Sequence, residues 1–345
     1  MSIMVTGIGF VGGYVVRDLV DAGHGVVLYG YFGGVPGGDS HPDLDNARHI
    51  LGEERWKDVI VAHGDICDRV LLEQTIADHN VTGIVHLASI VAASSESNIP
   101  RAIDVNIGGS VNVFEAALAQ NVERVVWASS INVFGPRSLT RNGVIDDSSP
   151  LDPGSAYGST KAFVENIAKR YHENRNLNVV GLRLGKVYGF GEHVKAGRGG
   201  GNTWFKNLVE NPARGIGPNR VPFGDRSLGF HYIEDVARAF VTAVETRAGG
   251  GRSFVTTGDY RPIRDAFTFV HRLLPDAQME LVDGAQAAGL KAGAQTNWSL
   301  EYDASVVADT IGVKPKYSME QGLWRTVNAY RELEGLVPVS WPSDD

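Results

Sequence analysis

Short apolar runs at residues 3–5, 26–29, 59–62, 84–87, 125–128 and 179–182 recur along the first half of the chain, with longer amphipathic stretches between them. Each run is too short for a helix and apolar at consecutive positions, which is the pattern of a strand buried on both faces. The stretches at 11–22, 70–79, 101–120 and 156–174 carry helical periodicity and are long enough to cross over between parallel strands. Alternating strand and helix with right-handed crossovers predicts an α/β fold, a Rossmann-like doubly wound parallel sheet. Beyond residue 189 the periodicity weakens. Residues 190–229 are rich in Gly, Pro, Asn and Arg and read as an irregular excursion over one end of the sheet, with one short helix at 204–210. Helices at 234–246, 263–274, 304–311 and 319–333 and a strand at 253–257 are expected after it, and 30–45 reads as a long Gly, Pro and Asp loop.

The chain has 345 residues, 43% of them hydrophobic and 21% charged, which suits a globular protein with a sizeable core. Asp and Glu outnumber Lys and Arg by 40 to 32, for a net charge of −8, and no dense basic stripe is present. Nucleic acid is therefore not an expected partner. The single cysteine, Cys67, excludes an intrachain disulfide framework. No apolar run reaches the roughly 18 to 20 residues of a membrane span, and the chain opens in a strand pattern, so no membrane association and a cytoplasmic location are expected. His24, His41, His49 and His63 lack metal-ligand spacing to one another, so no metal is expected, and His86 at a strand end reads as a packed core residue.

The first strand runs into Thr6-Gly7-Ile8-Gly9-Phe10-Val11-Gly12-Gly13 and then into a helix, the context in which GxGxxG has mechanical meaning. Gly7 permits the tight turn, Gly9 lets the backbone approach a pyrophosphate, and Gly12 lets helix and strand pack closely. Amides at the helix start then face the phosphates along the favourable end of the dipole. A dinucleotide cofactor is the reading. The second strand ends at Gly30 between Tyr29 and Tyr31, with no carboxylate for the adenosine ribose and no arginine close behind for a 2′-phosphate. NAD is expected, and the sequence leaves NADP open. Asp65, in Gly64-Asp65-Ile66, is placed to reach the adenine end or to cap the following helix.

Tyr157 and Lys161 open a predicted helix at i, i+4 spacing, which sets both on one face. A cation there favours the phenolate and is expected to lower the tyrosine pKa toward the range of a general acid/base. Ser129 and Ser130 close the strand run at 125–128 at the sheet's carboxyl edge, where ligands bind in open α/β folds. A hydroxyl at Ser130 can hold a substrate oxygen while Tyr157 moves its proton.

These residues resemble the extended short-chain dehydrogenase/reductase superfamily, in its NAD-dependent epimerase/dehydratase family. The likeness covers nearly the whole chain. It is carried by the Gly7 loop, Gly64-Asp65-Ile66, Val85-His86-Leu87-Ala88, Val105-Asn106-Ile107-Gly108, Ser129-Ser130 with Val133-Phe134-Gly135, Tyr157 to Lys161, Arg183 with Val187-Tyr188-Gly189, and Ile233-Glu234-Asp235-Val236. The resemblance implies NAD bound by Gly7, Gly9, Phe10, Val11, Gly12, Gly30, Asp65, Ile66, Leu87, Ala88, Asn106, Tyr157, Lys161 and Val187. It implies Tyr157 as acid/base, Lys161 on the nicotinamide ribose and Ser130 polarising the substrate. It also implies a homodimer and a cofactor domain of residues 1–188 completed by 229–257. Residues 189–228 and 258–345 would then form a smaller C-terminal substrate-binding subdomain.

Departures from the family pattern narrow the reaction. Ile131 and Asn132 stand where dehydratases carry an Asp-Glu pair, which argues against water elimination. Gly185-Lys186 replaces a common asparagine, Phe134 a common tyrosine, and the glycine loop is one residue short. Leu228-Gly229 precedes Phe230 where an arginine usually grips the substrate diphosphate; Arg226 is the nearest candidate. The loop 192–202 with His193, Lys195 and Arg198 reads as either a solvated segment or a lid. Ser129, Asn132, Arg198, Arg220 and Arg226 are the candidate substrate contacts. The leading expectation is an oxidoreductase moving hydride at a secondary alcohol or ketone carbon of a small polyhydroxylated or acidic substrate. The alternatives are a nucleotide-sugar epimerase of the UDP-hexose 4-epimerase kind, with retained NAD, and a non-catalytic dinucleotide-binding scaffold.

Overall fold

Seven of the apolar runs, the six above and the one at 253–257, pair side by side in a single parallel sheet. The computed structural model describes residues 1–32, 41–140, 142–196, 203–284 and 299–342. Its strands in chain order are β1 (Ser2–Thr6), β2 (Gly25–Gly30), β3 (Val59–His63), β4 (Gly83–His86), β5 (Arg124–Ser130), β6 (Val144–Ile145), β7 (Val179–Leu184), β8 (Val187–Tyr188), β9 (Asn219–Pro222), β10 (Ser227–Tyr232), β11 (Arg252–Thr256), β12 (Asp259–Pro262), β13 (Met279–Val282) and β14 (Glu301–Tyr302). The central sheet runs β3-β2-β1-β4-β5-β7-β11, all parallel. Strand order reverses between β1 and β4, and a crevice opens beyond the carboxyl ends at such a switch point. The side-chain period of two divides the core. Ile3 and Val5 pack on one face with Val15, Val16 and Leu19 of α1 (Gly12–Asp21), while Met4 packs on the other face with Leu72, Phe114 and Val164.

Between the strands lie α1, α2 (Pro42–Trp56), α3 (Arg69–Asp78), α4 (Ala92–Ser97), α5 (Ile99–Ala102), α6 (Gly109–Ala119) and α7 (Ala156–Arg175). The single helix expected over 101–120 is three pieces, because a π turn at Ile103–Gly108 separates α5 from α6. The loop expected over 30–45 gives way to α2 at Pro42, with Pro at the first turn and His41 capping Asp43 N–H. Within 190–229, where an irregular excursion is expected, the described residues hold β9, the start of β10, and a helical stretch from Thr203 to Ala213 whose middle turn, Lys206–Glu210, is π. β10 pairs with β8 and β12, and β9 with β13, outside the central sheet. One continuous apolar cluster joins α1 to Phe205, Leu228, Phe269 and Tyr330, so the C-terminal elements share the core of one sheet face. No helix of the described residues is long and apolar enough to cross a membrane.

Candidate active site

The glycine loop is closed too tightly for side chains. Gly7 has φ +81°, and a Cβ there would lie 2.7 Å from the backbone of Ala88. A Cβ on Gly12 would lie 2.6 Å from the Gly7 carbonyl oxygen. β1 and β4 therefore approach closely beneath the loop, and α1 starts against it with its amides facing outward. The cavity above has a volume of about 1010 Å³. Gly7, Gly9, Phe10, Val11, Gly12, Gly30, Asp65, Ile66, Leu87, Ala88, Tyr157, Lys161 and Val187 all line it. The glycine cradle and the volume of the cleft fit a dinucleotide.

At the far end of the loop, Gly30 is roofed by Phe32, whose ring a Cβ on Gly30 would meet at 2.8 Å. Asp65 accepts from Cys67 N–H at 2.9 Å and from Arg101 Nη2 at 3.0 Å. These bonds and the Arg101 charge outweigh burial and hold its carboxyl below the usual range. Asp68, not Asp65, caps α3.

Ser130, Tyr157 and Lys161 converge at the other end. β5 and β7 run in register to Ser130 and Leu184, which places the serine at the carboxyl edge of the sheet. α7 starts at a Ser155 cap, and its first turns set Tyr157 and Lys161 against that edge. Ser130 Oγ accepts from Asn132 N–H at 3.2 Å and from Asn132 Nδ2 at 3.1 Å. Lys161 Nζ donates to the Ala128 carbonyl at 2.8 Å and lies 5.6 Å from the centroid of the Tyr157 ring.

The expected lowering of the tyrosine pKa is not what this arrangement produces. Burial pushes Tyr157 up to about 12, against hydrogen bonds from Ser130 and Ser89 that pull it down. Burial likewise pushes Lys161 down to about 7, with the Glu165 carboxylate opposing. The i, i+4 pair is desolvated together, and desolvation exceeds the attraction that the spacing suggests.

Some sequence candidates stand elsewhere. Asn106 is not among the described residues lining the cavity; its side chain binds both backbone groups of Ile90 at 2.8 and 2.9 Å and Thr160 Oγ1 at 3.1 Å. It ties the segment after β4 to α7. Ser129 borders the cavity, but its hydroxyl is committed to Glu165 at 2.6 Å, which in turn holds Arg183 at 2.8 Å. Arg220 pairs with Glu280 at 2.8 Å, and exposed Arg226 stacks over Phe223, so neither lines the cavity. Arg198 and the rest of 197–202 lie outside the described residues. His86 accepts the role of a packed core residue, bonded to Thr6 at 2.7 Å and Ser110 at 3.0 Å.

Sequence reasoning missed Ser89, Trp204 and Phe223 as lining residues, and named Lys186 only as a departure. Lys186 is half-buried, ion-paired with Glu192, and its Nζ lies 4.7 Å from the Phe205 ring centroid. Ser89 lies three residues past His86, the carboxyl end of β4, a position that could have flagged it.

Known proteins resemble this chain over most of its length. UDP-glucuronate 4-epimerase 1 of Arabidopsis thaliana is 31% identical over 253 residues, covering 71% of this chain and 55% of that protein. UDP-glucuronate 4-epimerase 3 of the same plant is 30% identical over 292 residues, covering 79% and 64%. The chain thus spans between about half and two thirds of the length of these relatives. The crystal structure of UDP-glucose 4-epimerase from Thermotoga maritima superposes with a TM-score of 0.76 at 22% identity, covering 96% of this chain and 99% of that one, a likeness of fold. With a family match running over residues 3–256, from β1 through β11, the chain belongs to the NAD dependent epimerase/dehydratase family.

Proposed function

We propose that the protein is a 4-epimerase of a nucleotide sugar that retains its NAD, the reading that the sequence placed second. The observation that carries it is the convergence of Ser130, Tyr157 and Lys161 on one cavity, in a chain whose relatives at 30% and 31% identity are UDP-glucuronate 4-epimerases. Residues 1–188 with 229–257 would hold the dinucleotide, and 189–228 with 258–345 the sugar nucleotide. When bound, NAD supplies a hydride acceptor that returns the hydride to the same carbon. Gly7 to Gly12 would cradle the pyrophosphate, and Lys161 would hold the nicotinamide ribose. Ser130 donates to the reacting oxygen. As the phenolate, Tyr157 Oη would take the substrate hydroxyl proton as the C–H bond opens and give it back as that bond re-forms on the other face. Asn132 at the place of a dehydratase acid leaves no carboxylate there for water elimination.

The test is incubation of the purified protein with UDP-glucuronate and UDP-glucose, with proton NMR of the anomeric region and mass spectrometry of the denatured protein's supernatant. Interconversion of the 4-epimers with stoichiometric NAD released only on denaturation is the expected result. Net reduction of added NAD without epimer formation would replace this reading by the dehydrogenase. That second reading has its own support: neither Arg220 nor Arg226 reaches the cavity, and Leu228 is fully buried, so a compact substrate without a nucleotide also fits.

A further inference from the structure

The hydroxyl of Ser130 is more constrained than a serine at a strand end need be. A hydroxyl oxygen has two acceptor sites and one proton to give. Both acceptor sites are filled from one residue: Asn132 N–H at 3.2 Å, as the cap of the 3₁₀ turn Ile131–Val133, and Asn132 Nδ2 at 3.1 Å. Ser130 is 7% exposed, which leaves little room for water to compete, and Asn132 borders the cavity beside it. The proton on Ser130 then has one use, donation outward, and the Tyr157 hydroxyl is its hydrogen-bond neighbour there.

We propose that Asn132 is a positioning residue whose two N–H donors lock Ser130 as a donor-only hydroxyl, its one proton aimed at Tyr157 Oη and passing to the reacting oxygen when substrate is bound there. The inference rests on the reading of Ser130 and Tyr157 given above. Its chemical consequence is direct. On oxidation the substrate O–H bond breaks and its proton passes to Tyr157 in its phenolate form, while the carbon loses hydride to the dinucleotide and the C–O bond becomes a double bond. A Ser130 free to rotate could accept that substrate proton in a bond that leads nowhere. A Ser130 that only donates leaves Tyr157 as the proton's destination and supports the oxygen throughout.

Two variants and one double variant test this with UDP-glucuronate and UDP-glucose as substrates. Asn132→Ala keeps the backbone N–H on Ser130 Oγ but removes the Nδ2 donor, which opens one acceptor site and frees the hydroxyl to rotate; kcat is expected to fall about tenfold with KM within about twofold, because the substrate is still bound. Asn132→Asp should lower it further, since a carboxylate accepts the Ser130 proton and turns it away from Tyr157. In a Ser130→Ala background, Asn132→Ala should cost less than about twofold, a coupling that a merely structural residue does not show. Independent losses in the double variant overturn the positioning role alone. Wild-type turnover in Ser130→Ala overturns the assignment of Ser130 and this inference with it. A neutron structure of the wild-type protein needs no substrate. A deuteron on Ser130 Oγ pointing to Tyr157 supports the lock; one pointing to Asn132 Oδ1 overturns it.

Discussion

Lys161 lies one helical turn beyond Tyr157, with its Nζ 5.6 Å from the tyrosine ring centroid and 2.8 Å from the carbonyl oxygen of Ala128. Both side chains are desolvated, so each resists its charged form: Tyr157 is pushed up to about 12 and Lys161 down to about 7. Burial therefore favours the protonated tyrosine, which must first lose that proton to act as the base, a loss that the Ser130 and Ser89 hydrogen bonds favour. Tyr157→Phe keeps the packing and removes the proton carrier. Turnover is expected to fall by at least about a hundredfold while NAD binding changes little, because positioned acid/base groups contribute roughly 10² to 10⁴. Steady-state rates with calorimetric NAD titration check this, and near-normal turnover would assign the proton to another group.

Lys161 also carries a stability signature. Its folded pKa of about 7 lies below the ordinary value of 10.5, so between those values the unfolded chain binds more protons and stability rises with pH. Below about 7 the full penalty is present. Lys161→Met removes the penalty and leaves the Ala128 carbonyl without this donor, an offset of about 1 kcal/mol. The variant is expected to be more stable by on the order of 1 to 3 kcal/mol near pH 7, with the gain fading toward pH 10.5. Urea midpoints from pH 6 to 10 measure it, and a gain that grows with pH would contradict the assignment.

The central sheet was legible because its strands are buried on both faces: Ile3, Met4 and Val5 are all fully buried, and consecutive apolar residues announce that directly. The π turn at Ile103–Gly108 was not, since it depends on Asn106 meeting Ile90 and Thr160, contacts that no local periodicity encodes. That Ser130, Tyr157 and Lys161 meet at one cavity could be read from strand ends and helical spacing. Where Arg220 points could not, because it pairs with Glu280, 60 residues away in the chain.

Cofactor choice follows from the end of β2. Gly30, Tyr31 and Phe32 offer no cation, Arg101 is engaged by Asp65 at 3.0 Å, and Arg48 is held by Glu53 at 2.7 Å. A 2′-phosphate placed there would meet the Asp65 carboxylate and no free partner among these groups. NADP is expected to bind at least about tenfold more weakly than NAD to protein stripped of cofactor, a ratio read by fluorescence titration. Equal or tighter NADP binding would show a cation reaching the site from elsewhere.

Ile99 and Ile103 are 47% and 46% exposed at the start of the α5–α6 stretch, and Phe163 on α7 is 50% exposed. Three large apolar side chains left in water on adjoining helices suit an isologous contact. We expect a homodimer joined through α6 and α7, and Phe163→Asp to shift it to monomer in light scattering at micromolar concentration. An unchanged mass for that variant would move the interface to another face.

The hold on a diphosphate is the last expectation. Three cations line the cavity among the described residues, and each already has a partner: Arg101 has Asp65, Lys161 has the Ala128 carbonyl, and Lys186 has Glu192. Arg220 and Arg226 stand outside the lining, and Leu228 brings an aliphatic side chain into the core. Each charge-assisted bond that a diphosphate forgoes costs roughly 1.5 to 3 kcal/mol, a factor of ten or more in affinity. UDP alone is therefore expected to bind no tighter than high micromolar, even if UDP-sugars are turned over. Lys186→Met should weaken UDP further if the lysine can leave Glu192 for a phosphate oxygen. Calorimetry with UDP on both proteins decides it, and a low-micromolar dissociation constant for the wild type would show that the grip is built from residues other than these.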